Sequence, residues 1–259
     1  MRTALIAGNW KLNKDHLEAI HLIGDLGLRL SNLDLGRVEV AVHPPFTDLR
    51  TVQSLVEGDK LPISLGAQHC SHHHHGAFTG EVSAPMLAKL QTRYVLVGHS
   101  ERRAMFAMDD QVVHQTAKAV ITEGMVAVVC VGETEAEREQ GQTLAVLERQ
   151  VRSAIAGLPD NVADDLVVAY EPLWAIGTGT AATAADAQDA CSAIRRVIES
   201  TLGTATAGSV RLLYGGSASS ANAFELLSGP DVDGLLVGGA SLEAQSFCDI
   251  IAEAIRCYR

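Results

Sequence analysis

The chain has 259 residues, of which 47% are hydrophobic and 20% are charged, and 20 Lys and Arg against 31 Asp and Glu give a formal net charge of −11. This composition indicates a folded globular protein and excludes a disordered chain, while the acidic balance argues against nucleic acid or an anionic membrane surface as a partner. No run reaches the roughly 18 apolar residues of a membrane-spanning helix, so we expect no membrane partner.

The five cysteines are odd in number, widely spaced and free of any C-x-x-C pair. This pattern favours neither a disulfide framework nor a zinc site, and we expect the chain to hold no metal. Free thiols are typical of a reducing compartment, and the first residues lack the apolar core of a signal peptide, so we expect a cytoplasmic protein.

Eight short apolar runs, rich in β-branched residues, recur along the chain and predict eight strands. Helical periodicity lies between them, for example at Leu17, Ile20 and Ile23, and 183–186 (TAAD) reads as a capping box at a helix start. Either Ser219 or Ser220 is expected to cap a later helix. The eight predicted strands are 3–8, 38–42, 63–67, 94–97, 125–131, 166–170, 210–214 and 234–238.

Strands that alternate with helices and are apolar on both faces are typical of a parallel sheet covered by helices. Eight such units in about 250 residues match a (β/α)8 barrel, although the alternation alone leaves a doubly wound sheet open. No Pro- or Ser-rich linker divides the chain. We therefore predict one (β/α)8 barrel domain over residues 1–259.

Polar or Gly-rich residues follow almost every apolar run. They include Lys11 after the first run, His99 and Glu101 after the fourth, and Glu171 after the sixth. In a parallel barrel these residues meet at the carboxyl-terminal rim, where such folds carry their chemistry. Strands often end in polar residues for structural reasons alone, but that does not explain Lys, His and Glu at three different strand ends. The pattern predicts a catalytic site at this rim.

Six motifs around these positions give the chain a close resemblance to the triosephosphate isomerase family along essentially its whole length. They occur in the family's order: 7–11 (AGNWK), 76–83 (GAFTGEVS), 98–103 (GHSERR), 169–179 (AYEPLWAIGTG), 214–217 (YGGS) and 236–240 (LVGGA). The resemblance implies interconversion of dihydroxyacetone phosphate and glyceraldehyde 3-phosphate in glycolysis and gluconeogenesis, without a cofactor. It also implies a homodimer.

The resemblance assigns the chemistry to three residues. Glu171 matches the base, and a carboxylate of ordinary pKa is ionised at pH 7. His99 matches the electrophile, and a short helix starting at Ser100 is expected to keep its imidazole neutral by the positive end of the helix dipole. Lys11 matches the cation that pairs with the developing oxyanion and the substrate phosphate. A local cation is needed because the protein as a whole is negatively charged and its overall field does not attract an anionic substrate.

Further residues match the family's binding and supporting positions. Glycine allows backbone amides to approach a phosphate closely, and the family's clamp lies after late strands. Glu101 matches a supporting residue that orients the electrophile. The substrate-binding residues implied by the resemblance are Asn9, Lys11, Gly177, Ser217, Gly238 and Gly239.

Residues 172–182 match the family's active-site lid, whose closure excludes water from the enediolate. Trp174 and Tyr214 match residues that latch the closed lid. Thr180 and Ala181 stand at the far hinge, where the family frequently has Lys followed by Thr or Ser. This departure concerns the rate of closure and leaves the chemistry in place.

The loop after the third strand is unusual because it contains four consecutive histidines, 72–75. In the family this loop carries the residue matched by Thr79 into the neighbouring subunit. We predict that the dimer weakens below about pH 6.5, as these imidazoles become charged near the interface. A dimer dissociation constant that stays unchanged between pH 8 and pH 5.5 would discard this hypothesis.

Two other functions remain open from the residues. The first is an aldolase that forms a Schiff base between Lys11 and a phosphorylated three-carbon sugar, and borohydride would trap its lysine adduct. The second is a catalytically silent homologue that serves as a binding protein, since fold does not fix function. The presence of Lys11, His99, Glu171 and the whole lid motif argues against the second.

Overall fold

A computed structural model describes residues 2–175 and 182–258, and a closed barrel of eight parallel strands forms its centre. Each strand pairs with its neighbours in chain order, and the first strand also pairs with the eighth, which closes the barrel. The strands are β1 (Ala4–Asn9), β2 (Val38–His43), β3 (Ser64–Ala67), β4 (Tyr94–Val97), β5 (Val126–Val131), β6 (Leu166–Tyr170), β7 (Arg211–Tyr214) and β8 (Gly234–Val237).

The eight predicted strands are confirmed, with bounds that differ by no more than one residue at either end. Closure of the sheet excludes the doubly wound alternative, because an open sheet has two unpaired edge strands whereas β1 here has a partner on both sides. The predicted fold class, a single-domain (β/α)8 barrel, is therefore confirmed.

Helices cover the outside of the barrel. Their starts follow the chemistry of the sequence: the Thr183–Asp186 capping box is formed, and the backbone N–H of Ser219 donates to the Asn222 side chain at 2.8 Å. The described helices are α1 (His16–Leu30), α2 (Leu49–Gly58), α3 (Ala84–Lys89), α4 (Ser100–Phe106), α5 (Asp110–Thr122), α6 (Glu135–Glu139), α7 (Thr143–Ile155), α8 (Ala184–Leu202), α9 (Thr204–Ser209), α10 (Ser220–Leu227) and α11 (Ala244–Cys257).

Among the helices in the described ranges, none combines the length and apolar character needed to cross a bilayer.

Alternation along the strands produces two apolar layers. In β1, Ala4 and Ile6 face outward and pack with the helices, whereas Leu5 and Ala7 face the barrel interior. Cys130 of β5 belongs to the interior layer, so this thiol packs among apolar side chains beneath the rim. The two layers hold all eight strand ends in fixed positions, and these ends form the rim.

His43, the last residue of β2, is fully buried against Gly66 of β3. Its Nδ1 lies 3.3 Å from the carbonyl oxygen of Gly8, and a Cβ on Gly66 would lie 2.3 Å from the imidazole ring. Burial lowers the pKa of His43 from 6.5 to about 4, although the Gly8 carbonyl opposes the shift. The folded protein therefore holds this imidazole in its neutral form.

We expect the free energy of unfolding to fall in acid because of His43. Below pH 6.5 the unfolded chain binds a proton that the folded chain takes up only near pH 4, so His43 alone removes about 2 to 3 kcal/mol of stability by pH 4.5. Urea unfolding at fixed protein concentration between pH 8 and pH 4.5 checks this. The stability difference between wild type and His43→Leu should shrink in acid. A constant difference for His43→Leu would contradict the expectation.

Candidate active site

The carboxyl-terminal ends of the strands surround a cavity of about 360 Å³. Asn9 ends β1, His99 follows β4 by two residues, Glu171 directly follows β6, and Gly238 directly follows β8. These side chains and backbones line the cavity together with Lys11. Residues that are far apart in sequence therefore meet at one rim, as the pattern of strand ends predicts.

Lys11 is fixed in place by contacts to its backbone. Its φ of 51° lies in the left-handed region, which is unfavourable for a lysine. The side-chain oxygen of Asn9 accepts from the Lys11 N–H at 3.0 Å, and the Gln68 amide donates to the Lys11 carbonyl at 2.8 Å. The Lys11 ammonium then reaches Glu101 at 2.7 Å. These bonds offset the strain and direct the cation into the cavity.

His99 and Glu171 form a buried pair at the centre of the site. Nε2 of His99 lies 2.9 Å from Oε1 of Glu171, and the backbone N–H of Ser100 donates to Oε2 of Glu171 at 2.9 Å. Glu171 is 2% exposed and His99 is 6% exposed. Both oxygens of this carboxylate are thus held by donors, in a place that water scarcely reaches.

The charges of the pair support each other. Burial alone raises the pKa of Glu171, but the charge and hydrogen bond of His99, the Ser100 N–H and the Lys11 cation together hold that pKa below its ordinary value. Burial alone lowers the pKa of His99, and the Glu171 carboxylate outweighs it, so the pKa of His99 is raised. Glu171 is therefore ionised at neutral pH.

This raised pKa differs from the expectation that α4 keeps His99 neutral. The helix start acts as expected, since the Glu101 N–H donates to Nδ1 of His99 at 3.3 Å and thereby favours the tautomer with its hydrogen on Nε2. The sequence did not reveal that Glu171 lies directly against Nε2. The carboxylate opposes the helix dipole for as long as the two side chains remain paired.

The end of the cavity formed by the loops after β7 and β8 is rich in glycine. The loops after β7 and β8 contribute Gly215, Gly216, Ser217, Gly238 and Gly239. A Cβ on Gly238 would lie 3.7 Å from Cε of Lys11, so the lysine side chain runs past this edge. Lys11 is the only lysine or arginine among the described residues that line the cavity. Exposed amides beside a cation suit a phosphate group.

The two predicted latch residues, Trp174 and Tyr214, are not among the residues that line the cavity. The indole N–H of Trp174 donates to Glu133 at 2.9 Å, and the Arg138 guanidinium lies 3.9 Å from the Trp174 ring centre. Burial raises the pKa of Tyr214 to about 12, opposed by a contact with the backbone of Ala182. Gly177, Thr180 and Ala181 lie outside the described residues.

The histidine run and Thr79 lie outside this cavity, in the loop between β3 and α3. The His73 ring stacks on Phe78 at 3.8 Å, and Nδ1 of His74 lies 3.8 Å from Glu123. Within residues 2–175 and 182–258, no group of three or more His, Cys, Asp or Glu side chains is arranged to hold a metal ion. The effect of the histidine run on a dimer stays a prediction.

Two contributors to the site were not assigned by the residue pattern. Gln68 was visible as a polar strand end, yet its role, to bond the carbonyls of both Lys11 and His43, depends on where β2 and β3 meet. The Ser100 N–H is a backbone group and leaves no trace in the residue types. Only the helix start at His99 could have indicated a donor there.

Comparisons with known proteins identify relatives of the chain along nearly its whole length. A family model described as triosephosphate isomerase matches residues 4–254. The chain is 51% identical over 253 residues to a triosephosphate isomerase of Saccharopolyspora erythraea, which covers 98% of this chain and 97% of that protein. It is 50% identical over 256 residues to a triosephosphate isomerase of Corynebacterium diphtheriae, and the alignment covers 98% of this chain and 97% of that protein. It is 49% identical over 250 residues to one of Streptomyces coelicolor, with 96% of this chain and 97% of that protein covered.

Proposed function

Since the chain belongs to the triosephosphate isomerase family and is an isomerase, we propose that it interconverts dihydroxyacetone phosphate and D-glyceraldehyde 3-phosphate through an enediolate, without a cofactor. The observation that carries this proposal is the buried, ionised Glu171 carboxylate, held at His99 in a cavity that also contains Lys11. A base, an electrophile and a cation are the groups that proton transfer next to a carbonyl requires.

The proton transfer begins with an exchange of hydrogen bonds. The Nε2–H of His99 that meets Glu171 in the unliganded site is the donor that a substrate carbonyl needs, so a bound substrate displaces the carboxylate. Glu171 then takes a proton from the carbon beside the carbonyl and returns it to the former carbonyl carbon, while the hydroxyl proton passes from one substrate oxygen to the other, so that carbonyl and hydroxyl exchange places. Negative charge develops on the substrate oxygen between these steps, and His99 and Lys11 stabilise it.

Displacement of Glu171 also changes the state of His99. The carboxylate raises the pKa of His99, so its departure lowers that pKa and shifts the ring toward the neutral form, whose Nδ1 accepts from the Glu101 N–H. A neutral imidazole donates from Nε2 without giving up its proton completely. Substrate binding therefore sets the protonation state in which His99 acts.

The glycine-rich end of the cavity suits the phosphate of the substrate. Ser217, Gly238 and Gly239 line the cavity there, and Lys11 supplies the positive charge. Asn9 keeps the Lys11 backbone in its left-handed conformation. Gly177 is the remaining residue of the proposed phosphate-binding clamp. The lid, residues 172–182, then closes and excludes water from the enediolate.

A coupled assay of glyceraldehyde 3-phosphate conversion on the purified protein tests the function. We expect turnover that EDTA leaves unchanged, because the proposed chemistry uses no metal. Folded but inactive protein would refute the proposal. Borohydride added with substrate tests the aldolase alternative, and we expect no lysine adduct because Lys11 is held as a cation against Glu101.

We further propose that the chain works as a cytoplasmic homodimer, with residues 1–259 as one domain in each subunit. Large apolar side chains are exposed on the loop after β1, in the predicted dimer loop and on α4, namely Leu12 (96% exposed), Phe78 (43%), Met105 (74%) and Phe106 (62%). Exposed apolar side chains of this size are common at protein interfaces. Sedimentation velocity over a range of concentrations tests the dimer, and a monomer at micromolar concentration would count against it.

A further inference from the structure

The backbone of Glu171 rests on a glycine at the end of the neighbouring strand. Its N–H donates to the Val131 carbonyl at 2.7 Å. A Cβ on Gly132 would lie only 1.8 Å from the Glu171 carbonyl oxygen, so the two backbones are in direct contact. Any displacement of Gly132 therefore displaces Glu171.

Gly132 is held in turn by a side chain from a helix. The Gln150 side-chain oxygen accepts from the Gly132 N–H at 2.8 Å, and its amide nitrogen donates to the Gly132 carbonyl at 3.2 Å. Gln150 lies on α7 and is 6% exposed. One carboxamide thus satisfies both polar groups of a buried residue, with its oxygen as acceptor and its nitrogen as donor.

Gln150 does not border the substrate cavity. It lines a separate cavity of about 560 Å³ on the other side of Glu171, together with Gly132 and Cys130. The side-chain hydrogen bonds of Gln150 go to Gly132. The other cavity is the one lined by Lys11, His99 and the glycine-rich loops after β7 and β8. An effect of Gln150 on the reaction therefore passes through the position of Glu171.

From these contacts we infer that Gln150 is a positioning residue for the catalytic base: it fixes Gly132, and Gly132 fixes the backbone from which the Glu171 carboxylate extends. This inference rests on the proposed isomerase function. Since a base misplaced by about 1 Å loses much of its effectiveness, Gln150 controls kcat while substrate binding stays unchanged.

The test compares kcat, KM and inhibition by inorganic phosphate in wild type and Gln150→Met, which keeps the side-chain length and removes both hydrogen bonds. We expect kcat to fall at least about tenfold, while KM and the inhibition constant of phosphate stay within about twofold. Gln150→Asn keeps the carboxamide on a shorter stem, cannot reach both groups of Gly132, and should show the same split with a smaller loss.

Gln53→Met is the matched control. Gln53 is equally buried, at 5% exposure, and its amide bonds Glu57 and Gln91 at the opposite end of the fold from the rim. A purely structural role for Gln150 predicts that both Met variants lose thermal stability and that both keep the wild-type kcat. The inference predicts a loss of kcat only at position 150.

A folded Gln150→Met with kcat within twofold of wild type, or with kcat and KM changed in step, would overturn the inference. If Gln150→Met does not fold, Gln150→Asn decides by the same criteria. An inactive wild type would refute the isomerase function itself and the inference with it. Normal wild-type activity with unimpaired position-150 variants would refute the positioning role alone.

Discussion

Glu171→Gln is expected to lower kcat by about 10²- to 10⁴-fold, the contribution of a general base in the transition state. Glutamine has nearly the same volume and still accepts from the Ser100 N–H, which meets Oε2 at 2.9 Å, so the fold and the cavity persist. It has no basic oxygen to take the proton. KM should change little because the phosphate end of the cavity is untouched. Steady-state kinetics in both reaction directions measure both constants.

Glu171→Asp separates the chemistry of the carboxylate from its position. The charge remains, but it retracts by one methylene from the place where His99 and Ser100 hold it. We expect a loss of about 10²-fold in kcat from misplacement alone. Glu148→Gln, on the exposed face of α7, is the control and should retain wild-type kinetics.

Activity of Glu171→Gln within tenfold of wild type would exclude Glu171 as the base.

Lys11→Met is expected to lower kcat/KM by about 10²- to 10³-fold, as for the loss of one preorganised group that stabilises developing negative charge. Methionine matches the length of lysine but cannot pair with an oxyanion or a phosphate. Because Lys11 supplies the only Lys or Arg charge among the described lining residues, KM should rise as well. Stability should change little, since its partner Glu101 is partly exposed to water.

Lys14→Met provides the control for this variant. Lys14 lies in the same loop, also with a positive φ, at 72°, and does not line the cavity. Equal losses for both lysine variants would indicate a distorted loop or a general charge effect. Wild-type activity in a folded Lys11→Met would remove the cation from the mechanism.

Much of the fold was accessible from the sequence because its determinants are local. The β-branched runs predicted all eight strands, and Thr183 with Asp186 marked the start of α8. Lys11, His99 and Glu171 stood out because each follows a strand, and a parallel barrel brings its strand ends together. These predictions depend on residue types and on distances along the chain.

Other features depend on contacts between distant segments. The pairing of Glu171 with His99 reverses the pKa shift that α4 alone would give to the imidazole. Gln68 supports Lys11 from 57 positions away in the sequence. Gln150 binds Gly132 from 18 positions away. Neither pair forms a motif, so no spacing rule identifies them.

The sequence by itself determined the eight alternating strands and the residue types at their carboxyl-terminal ends, because periodicity and strand-end position are properties of short segments. Only the tertiary structure decided the protonation preferences of His99 and Glu171, the left-handed backbone of Lys11 and the base's support by Gly132. Electrostatic shifts and close packing depend on burial and on distances of a few ångströms, and these exist only after the eight strands have closed.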